Sequence, residues 1–159
     1  MKCVNCGGTA RFVEEHGYFE CNYCGAHQRP ARSQDEVQIL GEPLGKDCPR
    51  CNAPLVTAKV GRWGLVACDR CEGLLIEQPD FPHIVRWERA HYGGPPLEVT
   101  LDPSDASRAK LVCPLCQKEM ERSRHFGPGN IFMDSCLGCA RIWLDAGELR
   151  RITRSAGTF

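Results

Sequence analysis

The stretch "ARFVEEHGYFEC" (residues 10–21) places two short runs rich in strand formers on either side of "EHG" and predicts a strand, a turn and a second strand. A knuckle of the form CxxCG, "CVNCG" or "CNYCG", stands at each end of it. The glycine after each second cysteine, Gly7 and Gly25, permits the positive backbone angle that turns amide groups toward the two sulfurs. Helical signals are few. In "PDFPHIVRWERAHYGG", Asp80 stands as an N-cap, Pro82 falls in the first turn and Gly93 ends the pattern, which predicts a helix over about 81–91. Ile84 and Trp87 share a face of that helix and are expected to pack back on the preceding strands. Ser33 with Glu36 suggests a short capped helix ending at Gly41. Asp145 and Glu148, in Asp-x-x-Glu spacing ahead of "LRRITRS", read as a capping box: Asp145 accepts from a first-turn amide and Glu148 reaches back.

From residue 48 onward the chain repeats itself. "CPRCNAPL" (48–55) matches "CPLCQKEM" (113–120), and "CEGLLIEQPDF" (71–81) aligns without a gap on "CARIWLDAGEL" (139–149). Leu75 thereby corresponds to Trp143, Glu77 to Asp145, and Phe81 to Leu149.

The cysteines turn this pattern into chemistry. The chain has 159 residues with 16 Gly, 11 Pro and 8% aromatic content, which argues for several small units over one large core. All 12 cysteines fall in CxxC pairs: Cys3/Cys6, Cys21/Cys24, Cys48/Cys51, Cys68/Cys71, Cys113/Cys116 and Cys136/Cys139. Two thiolates three residues apart on a tight turn grip one tetrahedral ion, whereas a disulfide framework does not require that spacing. Within neighbouring pairs the gaps are 14, 16 and 19 residues, and between them 23 and 41 residues, so each neighbouring set of four closes its own site. An interleaved cross-brace remains open for the first four pairs. Small mainly β units of this kind depend on the metal, since a structural zinc site contributes on the order of 10–16 kcal/mol. The fold expected is three tandem zinc ribbons, each a β-hairpin between two knuckles, with short helices after the second and third. Zinc, three ions, is preferred; rubredoxin-type iron suits the same four sulfurs.

"CPLC…M…DSCLGCARIWLDAGEL" resembles the bacterial zinc-ribbon family named for transcription factor IIB-type zinc fingers, whose pattern runs CPxC, a hairpin, then CxxCxGxWLDxGEL. The third unit (113–150) matches closely, with Ala140 and Arg141 departing from the pattern. The second (48–82) matches in outline, and the first (3–24) resembles zinc ribbons generally. The resemblance implies a metal-stabilised β-ribbon followed by a short helix, usually with no known enzymatic role.

The organisation expected is ribbon 1 over 1–32, an acidic linker over 33–45, ribbon 2 with its helix over 46–92, a Pro/Gly-rich acidic linker over 93–107 and ribbon 3 with a C-terminal helix over 108–159. Four cysteines per ion leave no open position for a substrate, and no catalytic arrangement stands out, so no enzyme is expected. His16, His27 and His125 are not needed as ligands. The formal net charge is zero; twelve thiolates holding three divalent ions make the loaded protein acidic by roughly six charges. Ribbon 3 is the local exception, with nine Lys/Arg against five Asp/Glu from Arg108 to Arg154. Arg122, Arg124 and His125 on its hairpin, with Arg150, Arg151 and Arg154 on its helix, suggest one basic face, and Trp143 either covers the apolar side of the ribbon or, partly exposed, contacts a partner. The leading expectation is a cytoplasmic, non-enzymatic adaptor that binds a protein. The alternatives are a nucleic-acid-binding or transcription-associated ribbon protein and a thiol redox switch or rubredoxin-like protein. The chain start "MKCVNCGG" has no signal-peptide pattern and no membrane span is expected.

Overall fold

The computed structural model describes residues 1–100, 105 and 107–157. The first hairpin forms where expected: β1 (Ala10–Val13) pairs antiparallel with β2 (Tyr18–Cys21), and β3 (His27–Gln28) adds to the far side of β2. The Val13 carbonyl accepts from the His16 and Gly17 amides to close the turn. This sheet buries Ala10 and Phe19 with Cys3 and Cys21 in a small core of its own, against which Phe12, Ala26 and Leu40 pack.

Eight strands form the second sheet. In spatial order they are β4 (Ala31–Arg32), β5 (Gln38–Asp47), β6 (Pro54–Val60), β7 (Trp63–Cys68), β8 (Leu74–Glu77), β11 (Arg141–Leu144), β10 (Phe132–Cys136) and β9 (Glu121–Arg124). The hairpin β6–β7 belongs to the second ribbon and β9–β10 to the third. β8 and β11 join them in an antiparallel seam with Leu75 opposite Trp143, Ile76 opposite Ile142 and Leu74 opposite Leu144. Leu75 and Trp143 are also the corresponding residues of the two copies. The copies are therefore related by an approximate two-fold axis through this pair, with order β6-β7-β8 on one side and β9-β10-β11 on the other.

The axis extends to the helices, α1 (Phe81–His91) and α2 (Glu148–Arg154), which pack against each other. Phe81, Ile84 and Val85 correspond to Leu149, Ile152 and Thr153, and all six are buried. Beneath the helices one sheet face contributes Ala58, Val60, Leu65, Ala67, Leu74, Ile76, Ile142 and Leu144 to the larger core. The other face sends Leu75 and Trp143 into a second core with Leu55, Leu111, Met120 and cysteines of both quartets. Burial on both faces explains why "LLI" in β8 and "IWL" in β11 are continuously apolar.

The sequence-based expectation of a helix ending at Gly41 is not met. Ser33 Oγ accepts from the Asp35 amide, Glu36 takes a left-handed φ of 62°, and the chain turns back as β5 along the edge of β6. Val37 is fully buried in the larger core, and Ile39 packs against it. The exposed edge of β6 supplies backbone partners that a short helix lacks, and Gly41 and Pro43 fall in a stretch of β5 whose register with β6 is irregular. Thus the stretch expected to be an acidic linker, 33–45, contains a paired strand. In the later acidic stretch, Leu97 donates its amide to the Arg154 carbonyl at 2.8 Å; Pro103 lies outside the described residues. No helix among the described residues is long and apolar enough to cross a membrane.

Candidate metal centres

Six knuckles bring the twelve sulfurs into three groups: Cys3, Cys6, Cys21 and Cys24; Cys48, Cys51, Cys68 and Cys71; Cys113, Cys116, Cys136 and Cys139. Within each group the Sγ atoms lie within 4.8 Å of one another. The cross-brace is thereby excluded: each neighbouring set of four closes on itself.

The knuckle backbone repeats. The amide of the residue after the second cysteine donates to the carbonyl of the first, as in Gly7 to Cys3, Gly25 to Cys21, Asn52 to Cys48, Glu72 to Cys68 and Gln117 to Cys113. That residue has positive φ in all six knuckles, yet only Gly7 and Gly25 are glycine; Asn52, Glu72, Gln117 and Ala140 adopt the same conformation. Amides of Asn5, Tyr23 and Arg50 point at Cys3, Cys21 and Cys48 sulfurs at 3.4 Å, as does that of Cys71 at Cys68. Such amides stabilise negative charge on sulfur.

These groups fit a tetrahedral ion. Four sulfurs at about 2.3 Å from zinc stand about 3.8 Å apart along each edge. The sulfur pairs Cys3/Cys24, Cys6/Cys21, Cys48/Cys71, Cys51/Cys68 and Cys116/Cys136 lie at 3.8, 3.5, 3.5, 3.4 and 3.5 Å. A disulfide needs about 2.05 Å, and all twelve cysteines are free. Protonation points the same way. Hydrogen bonds from the Ala26 amide first and Asn5 next lower Cys24 to about 6, while neighbouring sulfurs, Cys116 first, with burial push Cys139 up to about 12. Four adjacent thiols do not all ionise without a cation among them. The residues therefore fit a metal with sulfur preference, which when bound supplies charge neutralisation and a covalent-like staple.

The carboxylates beside the third centre do not cap as expected. Glu148 Oε2 accepts from the Asp145 amide at 2.7 Å, so Glu148 does reach back. The Asp145 side chain makes no cap bond: the N-cap position is Gly147. Asp145 instead accepts from Arg50 Nε and Nη2 at 2.9 Å each, from Trp143 Nε1 at 2.9 Å and from Arg108 at 2.8 Å. Against burial, which alone would raise it, Arg50 and Trp143 hold this carboxyl below its usual range. Burial pushes Glu148 up to about 8. The α2 amides of Gly147 and Arg150 donate to Asp35, both at 2.7 Å, from the turn before β5. Asp80 occupies the N-cap position of α1 but makes no side-chain cap bond. Its backbone is already helical, and Pro82, the second residue of the helix, has no N–H to donate.

The expected partner face is largely folded inward. Trp143 is 1% exposed. Of the two roles open to it, covering the apolar side of its ribbon and contacting a partner, it has the first, since the seam covers it. Arg122 pairs with Asp134 at 2.6 Å and donates to the Asp105 carbonyl. Arg151 bonds the Asn130 carbonyl, and Arg154 lies over the Tyr92 ring at 4.6 Å. Arg124 and Arg150 remain exposed. His125 sets its ring against Phe81, and burial lowers its pKa, so it adds no charge to a basic face at neutral pH. His16 and His27 stack on Tyr18 on the surface of the first sheet, away from the ligand set.

Comparison with known proteins places a family match on the third ribbon. Residues 112–155 match the transcription factor zinc-finger family. The match coincides with the third ribbon and its helix, the part carrying "CLGCARIWLDAGEL". Two curated relatives are also similar over part of the chain. Formamidopyrimidine-DNA glycosylase of Photobacterium profundum is 33% identical over 60 residues, 38% of this chain and 22% of the relative. The protein of the same name from Thermomicrobium roseum is 31% identical over 62 residues, 39% of this chain and 22% of the relative. The chain thus spans about a fifth of the length of these relatives. No solved structure matches.

Proposed function

We propose that this chain is a non-enzymatic, cytoplasmic adaptor held together by three zinc ions, one per cysteine quartet, that binds a protein partner. The single observation behind this is the ligand sets themselves: each quartet supplies four sulfurs to one ion and so saturates a tetrahedral centre, which makes the metal structural. Its outer knuckles offer contact area. Val4 and Tyr23, at the tips of the two knuckles of the first ribbon, are 85% and 89% exposed. Pulldown with the full chain, compared with a Val4→Ser/Tyr23→Ser variant that keeps three zinc ions, tests it: loss of a specific protein partner is expected. A turnover that survives full zinc loading and dies on changing one surface residue overturns it.

A second reading has its own support. The relatives named formamidopyrimidine-DNA glycosylase act on DNA by name, and the matched family is named for transcription factors. On that reading a ribbon contacts nucleic acid. The inward engagement of Arg122, Arg151 and Arg154 weighs against a strong electrostatic component. Titration of unrelated DNA and RNA at low and high salt separates the two readings: a steep salt slope favours nucleic acid, and no binding at low salt removes it.

A further inference from the structure

The three quartets are unequal in their surroundings. Cys48, Cys68, Cys113 and Cys136 are buried members of one apolar core that also holds Leu55, Leu75, Leu111, Met120 and Trp143. The two ribbons are linked at the second metal knuckle, which both receives a ring from the third ribbon and sends a charge to it. Trp143, from the third, lies over Gly73, whose carbonyl accepts from the Cys68 amide in the second centre. Arg50, whose amide points at Cys48 Sγ, sends its guanidinium to Asp145 and to Asp134, two residues before Cys136. The first quartet has a separate core and a separate sheet, and its Cys6 and Cys24 are exposed, whereas no cysteine of the other two quartets is. A Glu14–Lys59 ion pair ties its hairpin to β6, and Glu14 is mostly exposed.

We propose that the second and third quartets form one two-metal unit that loads and releases its ions together, while the first quartet exchanges its ion independently and before them. The inference rests on the zinc reading above. Removing the ion from the third centre frees the knuckle ahead of β11, so Trp143 and Asp145 lose their positions. The second knuckle then loses the ring covering Gly73 and the carboxylate holding Arg50. Loss of one ion thus removes supports from the other site, whereas the first centre shares none of those groups. The arrangement gives the chain a metal-responsive first ribbon on a metal-retaining base.

The three tryptophans, Trp63, Trp87 and Trp143, all lie outside the first ribbon, which holds Tyr18 and Tyr23. Tryptophan emission therefore reports the two-metal unit alone. The test titrates the zinc-loaded full chain with EDTA and follows ion count by native mass spectrometry alongside that emission. The expected sequence is three ions, then two with unchanged emission, then none with a single emission transition; a species with one ion stays minor throughout. Accumulation of the one-ion species, or an emission change with the first ion lost, overturns the proposal. Cys116→Ser supplies the complementary arm. It is expected to retain one ion, in the first ribbon; retention of two refutes the coupling, and retention of none refutes the independence of the first site. A wild-type count below three at the start refutes the zinc reading itself, whereas three ions lost one by one refute only the coupling.

Discussion

A β-carbon on Gly73 would lie 2.2 Å from Cζ2 of Trp143, closer than any real contact, and the atom it meets belongs to a ring buried in the seam. Gly73→Ala is therefore expected to destabilise the protein by about 1–3 kcal/mol, the range for overpacking a core, measured as a shift of the urea midpoint with zinc saturating. The counterpart in the other copy, Arg141, pairs with the half-exposed Glu77 at 2.9 Å, and Arg141→Ala should change stability by about 1 kcal/mol or less. The family pattern carries both a glycine and a tryptophan here; the second copy keeps the glycine and the third keeps the tryptophan. A second residue-scale effect concerns Glu148. Its folded pKa is raised to about 8, mainly by burial, above an unfolded value near 4.3. Its contribution is full below the unfolded value and is lost as pH rises through about 8. Glu148→Gln keeps an acceptor for the Asp145 amide without the buried charge. Between pH 5 and 9, chemical denaturation of the variant should show a flatter pH dependence than wild type and greater stability at the alkaline end.

At the scale of the element, α2 has only seven residues, too few to hold a helix by its own hydrogen bonds. Both of its ends are fastened from elsewhere. Asp35 takes two amides at its start, and Arg89 of α1 donates to the Ile152 and Ser155 carbonyls at its end, at 2.7 and 3.1 Å. Each places charge where the helix dipole favours it. Asp35→Ala removes the acceptor of two partly buried amides and should lower stability by about 1–2 kcal/mol, with loss of hydrogen-exchange protection at Arg150. Asp80→Ala, at the start of α1, should be close to neutral because its carboxylate caps nothing. The contrast marks what a sequence can reveal. The first hairpin, the six knuckles and α1 were legible because turns, CxxC spacing and the Pro82 position act over a few residues. The caps of α2 were not, because Asp35 stands more than a hundred residues away and "SQDE" carries a local cap signal that the free edge of β6 overrides. Positive φ was foreseen at Gly7 and Gly25 and missed at Asn52, Glu72, Gln117 and Ala140, where the knuckle imposes it on residues that do not advertise it.

For the whole molecule, the repeat was visible in the sequence, but its consequence was not. Periodicity identifies equivalent residues and says nothing about whether equivalent strands meet. Here the edges of β8 and β11 meet each other, which turns two ribbons into one sheet and redirects charges expected at the surface. Arg50 is the clearest case. Although it sits between the two cysteines of a knuckle, its side chain is only 20% exposed and bridges Asp145 and Asp134 across the seam. Asp134 is itself 3% exposed and also held by Arg122. The pair Arg50–Asp145 should therefore behave as a partly buried bidentate bridge. Removing either partner takes charge-assisted hydrogen bonds from the other, which keeps Arg108 or Asp134 as a second partner, so Arg50→Ala and Asp145→Ala are each expected to destabilise by about 1–3 kcal/mol. Asp145→Ala should be the worse, because Arg108 and the Trp143 indole lose an acceptor as well. In a double-mutant cycle the two changes should fall short of additive by at least about 1 kcal/mol. That coupling should persist in about 0.5 M salt, since ions screen surface pairs far more than pairs shielded by protein. Additive losses, or a coupling that vanishes with salt, would mean that the seam is held by its apolar residues alone and that Arg50 only decorates it.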